Sequence, residues 1–137
     1  MKPDSRIGWL IPALIVAVNA VAVLASWGSL PETLPAHFDL QGNAGGAMSR
    51  GTLLLFLGAS AGICLAVFAL SLFTRKRIAG WGFIILASGL ALIIMSSTMV
   101  TLTRGTMPVF MLAEPVILLL SLAGFVICLV KAKAQTE

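Results

Sequence analysis

Charge is what this sequence lacks most. Lys and Arg together number 9 and Asp and Glu 5 in 137 residues, a charged fraction of 10%, where a soluble domain carries about 25%. With 59% hydrophobic residues and a mean hydropathy of +1.06, there is too little polar surface to face water all round. An integral membrane protein in contact with the lipid bilayer is the default. Cysteine is scarce too. Cys64 and Cys128 each lie inside an apolar run, with no His or Cys at metal-ligand spacing, so they read as packing residues and neither a disulfide nor a metal is expected. There is one histidine, and no Ser-His-Asp or Cys-His set is visible. No enzyme activity and no cofactor are therefore expected. The net charge of +4 comes from short basic clusters beside apolar runs, without a basic stripe interleaved with aromatics. That pattern suits membrane orientation and excludes a nucleic-acid partner.

What is there is long apolar runs. Ile7–Leu30, Gly51–Thr74 and Ile78–Thr103 hold no charge, and Gly105–Val130 holds only Glu114. Each exceeds the roughly 20 residues that span a bilayer, and lipid forces each to be helical because no water is there for backbone groups. The expected fold is an all-α integral membrane protein: a four-transmembrane-helix bundle with a short outer loop or β-hairpin between helices 1 and 2. It is one membrane domain, 1–137, with helices at about 7–28, 51–73, 78–103 and 108–130 and a loop at 29–50. The first run is longer than the roughly 7–15 residues of a signal core. Trp9 and Trp27 flank it about 27 Å apart on a helix, so it reads as a retained anchor. Lys2, Arg6, Arg75, Lys76, Arg77, Lys131 and Lys133 fall on one side and only Arg50 and Arg104 on the other. The positive-inside rule then makes both termini cytoplasmic and puts the loop outside.

Helix 2 carries a stripe of small residues, Gly58, Gly62, Ala66 and Ala69. It reads either as a homodimer face or as packing inside the same bundle, and in a four-helix chain the second is expected. Gly89 with Ser96, Ser97 and Thr98 offers interhelical hydrogen bonds in helix 3. Pro12 lies in the first turns of helix 1, where its missing N–H costs little. Asn19, in the middle of that helix, should face the bundle. Glu114 precedes Pro115 and leaves two geometries open: a helix that starts at Pro108 and contains both residues, or one that starts at Pro115 with Glu114 at its positive end. An ion pair with Arg50 or Arg104 is the plain expectation, and a substrate or proton site the sharper one.

The polar loop reads "SLPETLPAHFDLQGNAGGAMSR", Ser29 to Arg50. Pro31 and Pro35 make the residues before them extended. Ser29 and Glu32 have capping-box spacing, which predicts one helical turn around Pro31 that Pro35 ends. In "AHFDL", His37, Asp39 and Gln41 alternate with Phe38 and Leu40. "QGNAGG" is turn chemistry with Gly42, Gly45 and Gly46 free to take positive φ, and "AMSR" returns as a second strand. Phe38, Leu40 and Met48 should face the bundle or lipid. His37 and Asp39 share an edge, but a metal needs three or four ligands, so Glu32 or Glu114 would have to join them. Fixing the loop's shape is the expected role of the pair.

In this loop Leu30, Pro31, Pro35, His37, Phe38, Asp39, Gly42, Ser49 and Arg50 stand in an order and spacing that resembles the domain of unknown function 1648, the N-terminal membrane domain of SdpI-type immunity proteins. The placement between helices 1 and 2 agrees. The stretch before Ser49 is "NAGGAM", without the aromatic frequent in that family, and the chain has four helices where fuller immunity proteins have more. The resemblance implies a multi-pass protein of the bacterial plasma membrane. It implies immunity to a peptide toxin for relatives with the longer architecture. It supplies no catalytic residue. The motif residues, with Glu114, are the candidate binding residues. The expected function is a binding, sensor or immunity-like role in which the outer loop meets a peptide, a lipid or a membrane-protein partner. A small transporter or an accessory subunit of a membrane complex is the alternative, and an outer-face metalloenzyme using His37, Asp39 and Glu114 ranks last.

Overall fold

The computed structural model describes residues 7–39, 41, 43–73, 77–103 and 109–134. Its helices are α1 (Leu10–Ser26), α2 (Gly51–Leu72), α3 (Arg77–Leu102) and α4 (Val109–Ala134), and a single 3-10 turn, Trp27–Ser29, follows α1. All four helices are long and apolar enough to cross a membrane. Four two-residue strands lie between α1 and α2: β1 (Thr33–Leu34), β2 (His37–Phe38), β3 (Ala44–Gly45) and β4 (Met48–Ser49).

Helix α3 is the hub on which α1, α2 and α4 all pack. Small side chains make this close packing work, since without a hydrophobic drive helices in lipid associate through tight backbone approach. Ala79, Ala87 and Ala91 are buried along α3. On its α4 side a Cβ added at Gly82 would lie 2.9 Å from Cys128 Cβ, and one at Gly89 would collide with Ser121. From the other side, a Cβ at Gly124 would come within 3.0 Å of Ile85. The stripe on α2 does the opposite of what was expected. Gly58, Gly62, Ala66 and Ala69 are exposed, and a Cβ at either glycine would meet nothing within 4 Å. The packing of α2 turns Leu53, Ser60 and Val67 inward instead.

Asn19 faces the bundle as expected, 1% exposed, and its Nδ2 donates to Thr98 Oγ1 at 3.5 Å. Near the start of α1, Trp9 packs edge-on against Phe68 of α2, with ring centroids 5.0 Å apart. Of the two geometries for α4 the longer helix is found: it starts at Val109, keeps Pro115 inside and so carries Glu114 within its second turn. It ends at Ala134, beyond the expected 130. Lys131 and Lys133 occupy the last turn, where cations suit the negative end of the helix dipole. Lys2, Arg6, Arg75, Lys76 and Arg104 lie outside the described residues.

The loop is one antiparallel ribbon. Thr33 pairs with Ser49 and Leu34 with Met48, then His37 pairs with Gly45 and Phe38 with Ala44. The register is the same on both sides of the gap at Pro35–Ala36 and Gly46–Ala47, so two residues on each strand leave the ladder without a slip. Pro35 has no N–H to give a ladder, and Gly46 opposite the gap takes φ +65°. Backbone bonds extend the register to both ends, from Arg50 N to Glu32 O at 3.0 Å and from Asp39 N to Asn43 O at 3.0 Å. The "AMSR" segment returns as a strand as expected, and its partner is Thr33–Leu34, because the tight closure from Asp39 to Asn43 places Ala44–Gly45 opposite His37–Phe38. One expectation is corrected. No helical turn forms around Pro31. The turn lies earlier, at Trp27–Ser29, and Ser29 Oγ donates back to Ser26 O at 2.8 Å rather than forward as a cap.

The ribbon is tied down by its apolar face. Leu34 is buried with Val23 of α1 and Leu53 of α2, and Trp27, Leu30, Met48, Phe56, Leu57 and Leu102 pack round them. Phe38 is buried as well. The expected inward set thus holds for Phe38 and Met48, while Leu40 lies outside the described residues.

A candidate binding pocket beneath the hairpin

Alternation along β2 sends Phe38 inward and leaves His37 exposed, and the ribbon's register brings both to the rim of a cavity of about 360 Å³. Ala36, His37 and Phe38 form its hairpin wall. Among the described residues, Phe56 of α2, Ser97, Val100 and Thr101 of α3, and Glu114 of α4 also line it. Four separate elements therefore converge there, and His37 and Glu114 line the same cavity although 76 residues of sequence lie between them.

Each polar group has a defined attachment. Ser97 Oγ donates to Glu114 Oε1 at 2.9 Å, and this bond holds the acid among the described residues; the expected alternative partner Arg104 lies outside them. Thr101 Oγ1 donates to Ser97 O, one turn back, at 3.1 Å. His37 rests over the β3 strand: a Cβ on Gly45 would collide with its Nε2, and one on Gly46 would lie 3.4 Å from its Cε1. The "GG" of the loop is thus the bed on which the imidazole lies.

The other motif residues build the hairpin. Asp39 organises the tip: Oδ1 accepts from Gln41 N at 3.0 Å and from Asn43 N at 2.8 Å, and Oδ2 accepts from Asn43 Nδ2 at 2.8 Å. This is the shape-fixing role expected of it. Arg50 secures the base, its guanidinium 5.3 Å from the centroid of the Trp27 ring and its N–H on Glu32 O. Ser49 pairs with Thr33 and its Oγ lies 3.4 Å from Thr52 Oγ1. Pro31 is exposed at the base and Pro35 is half-buried in the gap between β1 and β2. Gly42 lies outside the described residues. Among the described residues no three His, Cys, Asp or Glu side chains gather as a metal site requires.

Phe56 and Thr101 gave no signal in the sequence. Ser97 did, as one of three consecutive hydroxyls, but only the rotation of α3 shows that it, and not Ser96 or Thr98, meets Glu114.

Residues 14–59 match the family described as domain of unknown function DUF1648. The DUF1648 segment runs from the second turn of α1 through the hairpin to the first half of α2. It includes every loop residue that carried the resemblance, and His37, Phe38 and Phe56 of the pocket. Ser97, Val100, Thr101 and Glu114 lie beyond it, so the pocket is built jointly by the DUF1648 segment and the two helices that follow. No curated protein and no solved structure matches the chain.

Proposed function

We propose that this multi-pass membrane protein is a binding or sensor protein, immunity-like in the manner of the SdpI-type proteins its loop resembles, and that its ligand enters the pocket beneath the hairpin. The observation that carries this reading is the convergence of His37 and Glu114 on one cavity of about 360 Å³, within the usual range of ligand sites. The hairpin is the outer face in this reading, and the bacterial plasma membrane its location, with both termini cytoplasmic. The surplus of Lys and Arg expected on the opposite side supports that orientation, and Lys131 and Lys133 do lie in the last turn of α4, about 25 Å from Glu114 along the helix.

Two measurements test it. A photoreactive residue at Ala36, on the pocket wall, and another at Gln41, at the hairpin tip, are crosslinked in native membranes. The Ala36 probe should capture a ligand that the Gln41 probe captures less. In parallel, cells making the protein are challenged with membrane-active peptides and should survive better than cells making Glu114→Gln. No adduct at either position together with no protection sinks the proposal.

A further inference from the structure

The hydrogen bonds in the pocket have a direction, and it selects the ligand. Ser97 has one hydroxyl proton, and it is committed to Glu114 Oε1. Thr101 has one, committed to Ser97 O. What remains on both hydroxyls is oxygen lone pairs, which only accept. Glu114 accepts as well, and Ser97 is its one hydrogen-bonding partner among the described residues. Among the described residues the pocket wall has no Lys or Arg, and Phe38 and Phe56 offer aromatic rings to whatever enters. Apart from His37, then, the side chains of the described lining are acceptor-only and anionic.

From this we infer that the pocket takes a primary ammonium group carried on an apolar chain. This rests on the reading of the pocket as the binding site and goes further by naming the ligand's chemistry. An anion would meet the Glu114 carboxylate, and among the described lining residues no Lys or Arg stands beside it. A neutral alcohol would satisfy acceptors but leave the charge unmatched. A quaternary ammonium carries no N–H for Ser97 and Thr101. A primary ammonium has three N–H donors and one positive charge, the complement of a carboxylate flanked by two hydroxyl oxygens. The apolar chain follows from what surrounds the site. The cavity is far larger than an ammonium ion, Val100 and the two phenylalanines line it, and one turn on from Glu114 the surface of α4 is apolar, with Val116, Leu119 and Leu120 exposed.

The single histidine makes a direct test available, because histidine labelled with 15N and 13C gives one side-chain reporter on the pocket wall. The full chain in phosphatidylcholine nanodiscs is titrated with octylammonium, octyltrimethylammonium, octanol and octanoate. Octylammonium should shift the His37 resonances saturably, and the other three should not. Glu114→Gln should weaken octylammonium at least tenfold, and Ser97→Ala severalfold, with the helical circular dichroism of both variants unchanged. The inference is overturned if octanol or octyltrimethylammonium binds as well as octylammonium, or if Glu114→Gln binds it as tightly as the parent chain. Repeating the spectrum in phosphatidylethanolamine nanodiscs separates the sources. Bound-like His37 shifts before any amine is added support the inference with a lipid headgroup as the ligand. Shifts that still need octylammonium support it with a free amine as the ligand. Crosslinking from Ala36 in native membranes keeps the two proposals apart: adducts without octylammonium binding leave the binding role standing and remove the ammonium assignment, whereas octylammonium binding without adducts or protection does the reverse.

Discussion

The imidazole of His37 occupies the space that a side chain on Gly45 would need. The two residues are cross-strand partners, and a Cβ on Gly45 would run into His37 Nε2. Because the clash is with the far end of one exposed side chain, Gly45→Ala should leave the bundle folded and swing His37 away from the pocket wall. The histidine resonances should move while the thermal midpoint stays nearly constant. Gly46→Ala differs in kind: φ +65° is a left-handed conformation that costs an L-residue about 1–2 kcal/mol. It should lower the midpoint and loosen the hairpin. Unmoved histidine resonances in Gly45→Ala would contradict the placement of the ring.

Asp39 holds the hairpin tip through three hydrogen bonds, to Gln41 N, Asn43 N and Asn43 Nδ2. A hydrogen bond to a charged group contributes about 1.5–3 kcal/mol, and less where water competes. Asp39→Ala should fray the tip locally, with faster hydrogen exchange at the Gln41 and Asn43 amides and unchanged protection at Leu34 and Leu53, which are buried under the ribbon's base. Exchange that accelerates equally through α1 and α2 would show that the tip is not a separate unit.

Glycines that look alike in the sequence should respond in opposite ways. Gly62→Leu adds a side chain where nothing lies within 4 Å, so the single chain's stability in detergent should hold or rise slightly, since Gly is a poor helix former. Gly89→Leu drives a side chain into Ser121 across the α3–α4 seam and should cost about 1–3 kcal/mol or more by overpacking. Unfolding in mixed micelles compares them. Equal losses in both would mean that α2 is packed the other way round. The same Gly62→Leu variant reports on self-association: if the outward stripe is a homodimer face, crosslinked dimers disappear while the monomer stays folded.

Asn19 is a weak tie between α1 and α3. Its bond to Thr98 is long, 3.5 Å, its Oδ1 is buried with no partner, and Thr98 has its own backbone acceptor, Ile94 O, at 2.8 Å. Interhelical bonds of this type average about 0.6 kcal/mol. Asn19→Leu should therefore change stability by less than about 1 kcal/mol, whereas Asn19→Asp, a charge within the span, should cost about 2.5–3.5 kcal/mol on insertion scales. A large loss in the leucine variant would reveal a second partner for the amide.

Composition and pattern alone make this a membrane chain of four helices with one structured loop. The reasons are local. A run of apolar residues in lipid must satisfy its own backbone and so becomes helical. The prolines, the alternation of His37, Phe38 and Asp39, and the glycines after Gln41 leave little but a turn-back with Phe38 facing in. The pairing partners are not legible there, because strand register depends on where the turn closes and only the Asp39–Asn43 bond shows that. Helix rotation was decided by tertiary structure alone. In a soluble helix the buried face is the apolar one, but here lipid-facing and protein-facing sides are equally apolar, so the pattern does not say which way a helix points. That is why the small-residue stripe of α2 reads as inward when it faces out, and why, of the α3–α4 seam formed by Gly82, Gly89 and Gly124, only Gly89 is marked by the sequence. It is also why the bond from Ser97 to Glu114 was not legible: the pocket that both line with His37 exists only where hairpin register and the rotation of three helices coincide.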